Sequence, residues 1–335
     1  MFQLYFLITL NCNLKCGHCI RKYNDRFFIS SMSIDDCKKY IAYLKKQLPT
    51  KTNFIVSGGE PTLHSDFLNF LEIIVNSFST ITINSNGSVT NSILDGIVKI
   101  APQSVVQISL DGNLNIHNKI RGYGAFEKAL ETIDYLNANK HRVVVSTTVS
   151  KRNISSIFEL AEKLSVYPDL IWKISPEQIF SKDRMKDQIF SEEWNFFVDE
   201  ILQKAKNRLS IKKLFDFNLF NKMREKYGME FLIKNSTANC GLGSSKLYVY
   251  PDGSLIPCTC MTNLNLGNLN NYVNKNLLEE LNKKSPMIAK ENEVCSVCEW
   301  ASLCKGGCPG YSFHHLGRLG LGDIRCPKIK NYYGL

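Results

Sequence analysis

Apolar and polar positions alternate between two rhythms over roughly the first 205 residues. Short apolar or β-branched runs occupy 2–9, 53–56, 80–84, 105–110, 142–149 and 170–174. Between and after them lie stretches with helical spacing at 33–48, 66–78, 91–100, 124–139, 153–164 and 191–208. In the first of these, Ile34, Cys37, Ile41, Leu44 and Leu48 follow a three-then-four rhythm that puts one apolar stripe on a helix, with Ser33 placed to cap it. Six β/α units in succession predict an α/β fold with a parallel sheet covered by helices, curved into a partial (β/α)6 barrel of TIM type. In such folds chemistry sits at the C-terminal ends of the strands.

The pattern predicts three regions: a barrel over 1–205, a charged helical connector over 206–236, and a small cysteine-rich domain over 237–335. In the last, Lys246–Tyr250 and Leu255–Cys258 flank Pro-Asp-Gly-Ser, a turn signal between two strands. No apolar run approaches the roughly 18 residues that cross a membrane, and the apolar N-terminus lacks the basic flank and cleavage site of a secretory signal. Twelve cysteines in such a chain point to metal rather than a disulfide framework, so a cytoplasmic protein with no membrane partner is expected. The net charge of +10 comes from dispersed residues, with only short groups such as Lys38-Lys39, Lys45-Lys46 and Lys212-Lys213. That distribution speaks against nucleic-acid binding and suits an acidic electron donor or an acidic peptide.

Chemistry begins at the end of the first strand, where Cys12, Cys16 and Cys19 stand in a CxxxCxxC spacing. Three thiolates on one loop can hold three irons of a 4Fe–4S cubane and leave the fourth open. Ser57-Gly58-Gly59-Glu60-Pro61 follows the second strand, and Ser85-Asn86-Gly87 ends the third. Ile108-Ser109-Leu110-Asp111-Gly112 ends the fourth, followed by His117, Arg121, Gly122 and Phe126. Together these resemble the radical S-adenosylmethionine superfamily. The resemblance implies that the open iron chelates S-adenosylmethionine and passes it one electron, releasing a 5′-deoxyadenosyl radical. It also implies cofactor contacts at Gly58, Gly59 and Glu60, the last accepting from the methionine ammonium, and at Ser109 and Arg121 on the carboxylate. Arg121 could otherwise make a surface ion pair. His18 is expected to pack near the adenine.

Beyond the connector, Cys240, Gly253 and Cys258 precede Cys295-x2-Cys298-x5-Cys304-x3-Cys308 and Cys326. This is similar to the seven-cysteine SPASM pattern. The resemblance implies an outer auxiliary 4Fe–4S cluster on Cys295, Cys298, Cys304 and Cys326, and an inner one on Cys240, Cys258 and Cys308. With the barrel cluster this makes three. Sulfatase-maturating relatives have a further cysteine where this chain has Lys246, so the inner cluster has an open iron or is completed by Cys260. Structural zinc on the last four-cysteine run is the alternative. Cys37 fits a helix core.

Members of this peptide-modifying branch mostly oxidise peptides or proteins, by crosslinks, thioethers or formylglycine formation, and some act on tetrapyrroles. The expected function is a maturase that oxidatively modifies a ribosomally made peptide. Formylglycine formation and tetrapyrrole or small-molecule processing are the alternatives, and a zinc or electron-transfer scaffold is the non-catalytic one. A flavodoxin or ferredoxin donor is implied. Because the first strand begins at residue 2, leader recognition is expected from a separate protein or from the barrel itself. No general base stands out; Glu177 and Asp183 follow the sixth strand, where Trp172 and Phe180 either wall the cavity or sit in the core.

Overall fold

The computed structural model describes residues 1–20, 31–235, 245–262, 264–272, 276–284 and 292–335. Seven parallel strands alternate with helices: β1 (Phe2–Thr9), α1 (Ile34–Gln47), β2 (Thr52–Gly58), α2 (Phe67–Val75), β3 (Thr80–Ser85), α3 (Asn91–Ile100) and β4 (Val105–Ser109). Then come α4 (Leu114–Arg121), α5 (Ala125–Ala138), β5 (Arg142–Val149), α6 (Ile157–Leu164), β6 (Ile171–Pro176), α7 (Ser191–Lys204) and β7 (Arg208–Ser210). A long helix, α8 (Phe217–Asn235), is interrupted at Gly228. The rest comprises β8 (Lys246–Val249), β9 (Ser254–Ile256), β10 (Gly267–Asn268) and five short helices: α9 (Leu277–Lys284), α10 (Glu293–Ser296), α11 (Ala301–Cys304), α12 (Pro309–Leu316) and α13 (Pro327–Tyr333).

All ten strands form one sheet, in the order β10-β9-β8-β1-β2-β3-β4-β5-β6-β7. The predicted hairpin is present, and its first strand, β8, pairs in parallel with β1, setting Gln3 opposite Lys246 and Tyr5 opposite Tyr248. The cysteine-rich region thus grows out of the barrel's own sheet. The segment expected to be a helical connector also holds a seventh strand, β7. It is anchored by Asn207, whose Nδ2 donates to the carbonyls of Leu164 and Tyr167 at 3.0 and 2.9 Å.

Two faces of the sheet carry different chemistry. Phe2, Leu4, Phe6 and Ile8 of β1, Val106 and Ile108 of β4, and Trp172 and Ile174 of β6 pack outward into one apolar core with the helices. Trp172 belongs to that core, with Nε1 donating to Thr147 Oγ1 at 2.8 Å. The intervening residues, such as Gln3, Tyr5, Gln107, Ser109, Lys173 and Ser175, are half-buried and face the barrel interior. The helices form for ordinary reasons. In α1 the Ser33 hydroxyl accepts from Asp36 N at 3.0 Å, acidic residues open the helix and Lys45 and Lys46 close it, complementing the dipole. Cys37 lies on its buried face, where burial pushes the thiol up to about 12 and leaves it inert.

Candidate active site

The loop of Cys12, Cys16 and Cys19 lies where β1 ends and is fastened from several sides. Gly59 N donates to Thr9 O at 2.7 Å and Glu60 N to Asn11 O at 2.8 Å, stitching the turn after β2 to the start of the cysteine loop. A Cβ on Gly59 would sit 2.0 Å from Asn11 O, and one on Gly58 would sit 2.3 Å from Thr9 O. Both glycines are therefore required for this backbone-to-backbone approach. Gly17 N donates to Ile120 O at 2.9 Å, and Arg184 Nη1 reaches Gly17 O at 3.4 Å. Asn86 Nδ2 lies 3.9 Å from Cys12 Sγ.

Glu60 is wholly buried and its carboxylate is engaged by the chain itself. Oε1 accepts from Thr62 Oγ1 at 2.7 Å and Ser85 Oγ at 3.0 Å, and Oε2 from Asn86 N at 2.7 Å. Burial raises its pKa, against these hydrogen bonds. Glu60 thus ties the turn after β2 to the end of β3.

Arg121, at the end of α4, is buried rather than at the surface. Its Nε donates to Asp111 Oδ2 at 2.6 Å, its Nη1 lies 3.9 Å from Cys16 Sγ, and its Nη2 lies 3.4 Å from His18 Nε2. Burial would lift the Asp111 carboxyl, but Arg121, His18 and the Thr148 N–H hold it down at about 2. Burial raises the Cys16 thiol, with Arg121 opposing. His18 has its pKa lowered by burial and stands 3.4 Å from Asp111 Oδ2. His117 accepts from Asp111 N through Nδ1 at 2.9 Å, and burial pushes it down to about 4. Ser109 ends β4 on the interior face, opposite Ser146. In the sequence Asp111 belongs to the strand-end motif Ile108–Gly112, and its place just past β4 is the signal for its role.

Glu177 follows β6 and is clamped by two arginines, Arg152 Nη2 at 2.9 Å and Arg184 Nη2 at 2.5 Å. Burial would raise its pKa, but these two partners hold it below the ordinary range, which keeps it ionised and only weakly basic near neutrality. Asp183 is exposed and hydrogen-bonded to Ser181. Arg152 and Arg184 carry no sequence motif and escaped detection there. Phe180 leaves the barrel core and packs with Tyr311, Cys258, Cys260, Cys308 and Ile20, the residue after Cys19. Tyr311 OH donates to Gln188 Oε1 at 2.7 Å and accepts from Ile179 N at 3.0 Å, fixing α12 to the loop after β6.

Cys295, Cys298, Cys304 and Cys326 line one pocket together with Phe215, Phe217 and Ile329. They come from three segments, and the N-termini of α12 and α13 start at Cys308-Pro309 and Cys326-Pro327. Burial first, and then the neighbouring thiols, push Cys295 up to about 12. Among the described residues no three His, Cys, Asp or Glu side chains converge on a point that could hold one ion. Four thiols lining one pocket are a donor set that suits a multi-iron group; tetrahedral zinc draws on the same donors. Cys258 and Cys260 have sulfurs 3.1 Å apart, and Cys308 N donates to Asp323 Oδ2 at 2.9 Å. Cys240 lies outside the described residues.

A parallel partial barrel with a three-cysteine loop at the C-terminal end of its first strand is the architecture of radical S-adenosylmethionine enzymes. Residues 6–164 match the model of the Radical SAM superfamily, so this part of the chain is a Radical SAM domain. It is 24% identical over 315 residues to the AdoMet-dependent heme synthase of Methanosarcina barkeri, covering 89% of this chain and 88% of that one. It is 23% identical over 314 residues to the subtilosin biosynthesis protein AlbA of Bacillus subtilis, covering 90% and 66%. The fold is shared with Streptococcus suis SuiB, whose structure is bound to the precursor peptide SuiA: TM-score 0.77, 17% identity, 97% of this chain and 76% of that one. The superfamily implies a 4Fe–4S cluster and S-adenosylmethionine, and the thiol loop fits them in donor chemistry. No helix among the described residues is long and apolar enough to cross a membrane.

Proposed function

We propose that this enzyme is a maturase that oxidatively modifies a ribosomally made peptide, using a barrel cluster and two auxiliary 4Fe–4S clusters. The observation that carries the auxiliary clusters is the four-thiol cavity of Cys295, Cys298, Cys304 and Cys326 beyond the barrel. Cys12, Cys16 and Cys19 would hold the barrel cluster, and Cys240, Cys258 and Cys308 the inner auxiliary one. When bound, the barrel cluster and S-adenosylmethionine supply a carbon-centred radical that removes hydrogen from an unactivated carbon.

The chain's own residues prepare that site. Gly58 and Gly59 dock the turn after β2 under the cysteine loop, and Glu60 locks the turn to β3 from within. Glu60's full burial makes it a positioning group for the methionine ammonium's binding turn. Arg121 spends Nε on Asp111 and keeps further N–H donors of its planar fork for the cofactor carboxylate, with Ser109 on the facing strand end. The Phe180–Tyr311 cluster excludes water between the barrel mouth and the inner cysteines.

The likeness to AlbA and to peptide-bound SuiB supports a peptide substrate. A tetrapyrrole is the second reading, favoured by the likeness to the heme synthase over 89% of the chain. A flavodoxin or ferredoxin would supply electrons, and a separate protein would present the leader. Co-expression with a short precursor peptide, followed by mass spectrometry, tests the reading. A loss of about two hydrogens supports it; an unchanged peptide beside active S-adenosylmethionine cleavage contradicts it.

A further inference from the structure

The inner face of the barrel holds a cation with no acidic partner among the described residues. None of the ten strands contains an Asp or Glu. Four basic residues occur in them, and Arg142 and Arg208 are exposed at strand starts. The other two, Lys173 of β6 and Lys246 of β8, face the interior. Trp172 and Ile174, on either side of Lys173, are in the outer core, so its side chain leaves the sheet on the opposite side. Strand register sets Ser109, Ser146, Lys173 and Ser210 in one row across β4 to β7. That row places three hydroxyls and one ammonium along the interior wall, beginning at the residue expected to meet the cofactor carboxylate.

Lys246 is accounted for. Its Nζ stands over the Tyr5 ring at 5.7 Å, and its charge helps draw down the Cys258 thiol. Lys173 has no ion pair among the described residues. Its pKa is lowered by burial and then by Lys246 and Lys212, both cations, with no acidic group opposing them. Holding an ammonium in partial burial opposite another cation is costly without an anion to share the space.

We propose that Lys173 anchors a carboxylate of the molecule that enters the barrel for modification, with Ser146 and Ser210 donating to the same group. This rests on the peptide-maturase reading and narrows it to an acidic segment, carrying an Asp, a Glu or a free C-terminus next to the modified residue. The competing source of the same chemistry is the carboxylate of S-adenosylmethionine.

The test is lysine acylation footprinting on anaerobically reconstituted wild-type enzyme, using a water-soluble N-hydroxysuccinimidyl acetate and mass spectrometry of the Lys173 peptide. Three probes are compared: S-adenosylmethionine, a pool of capped pentapeptides with central Glu, and the same pool with Gln. The expected result is that the Glu pool alone slows acylation of Lys173, by about tenfold when present at ten times its Kd. Protection by S-adenosylmethionine alone assigns the lysine to the cofactor and overturns the proposal. Equal protection by Glu and Gln pools, or none by either, also overturns it. In Lys173→Met, the Glu-over-Gln preference read by ultrafiltration binding should fall to parity; a retained preference contradicts the anchor. Failure of the maturase reading would show separately, as an unchanged precursor peptide on co-expression while the wild type still forms 5′-deoxyadenosine under dithionite.

Discussion

Arg121 Nε meets Asp111 Oδ2 at 2.6 Å in a buried ion pair, and the same guanidinium stands beside the Cys16 sulfur. The pair joins the end of α4 to the end of β4 and gives the cysteine loop a fixed positive wall. Removing only the arginine would leave a carboxylate buried without its charge partner. Arg121→Met is expected to destabilise the apoprotein by about 3–5 kcal/mol, measured by urea unfolding. A loss well under 1 kcal/mol, on the order of an exposed pair, would show that the pair is solvated after all.

His117 gives a pH signature. Its folded pKa of about 4 lies below its ordinary 6.5, so between those values the unfolded chain binds the proton more readily. Stability should therefore fall as pH drops through that window, by up to about 1.4 kcal/mol per unit. Asp111 adds its own loss lower down, where pH falls from the ordinary carboxylate range towards about 2. His117→Gln should flatten the slope between pH 6.5 and 4. An unchanged slope in urea midpoints would place the titrating group elsewhere.

Gly59→Ala should break the seam under the cysteine loop, because the added methyl would stand 2.0 Å from Asn11 O. Backbone on both sides leaves nothing cheap to move. Reconstituted variant should bind about four fewer irons than wild type, one cluster's worth, by colorimetric iron assay. Full iron content would mean that the loop docks without this turn.

The thiols separate in the same assay. Cys304→Ala should lose about four irons, whereas Cys37→Ala should lose none, since Cys37 is sealed inside the core with its thiol at about 12. Equal losses would contradict the four-thiol cavity as a cluster site.

Glu177 is held by Arg152 and Arg184 below the usual carboxylate range. The pH dependence of turnover between pH 6 and 9 should therefore carry no limb that Glu177→Gln removes, with a structural loss of about 3 kcal/mol. Disappearance of a limb in that range would make Glu177 a base.

The barrel's rhythm was legible because its strands are short, β-branched and separated by strongly amphipathic helices; β1, α3 and β5 match the predicted bounds residue for residue. Other features were not legible. The eight residues of α4 carry a polar sequence, LNIHNKIR, and form because Asn113 caps them and His117 and Ile120 bury one side. The three residues of β7 carry too little periodicity to register, and depend on Asn207. The pairing of β8 with β1 is a contact across more than 240 positions, invisible to local patterning. At the site, cysteine spacings were legible because ligation demands them. The Asp111–Arg121 pair and the arginine clamp on Glu177 were not, since ion pairs between separate segments impose no spacing. The same holds for Lys173: alternation placed it between two core residues, but only the register put it in a row with Ser109 and Ser146.

The most direct test of the account is product formation by the anaerobically reconstituted enzyme given S-adenosylmethionine and dithionite. Radical cleavage at the Cys12–Cys16–Cys19 loop predicts 5′-deoxyadenosine and methionine in equal amounts, abolished in Cys16→Ala. Iron-replete protein that yields neither, or a Cys16→Ala variant that yields both unchanged, would contradict it.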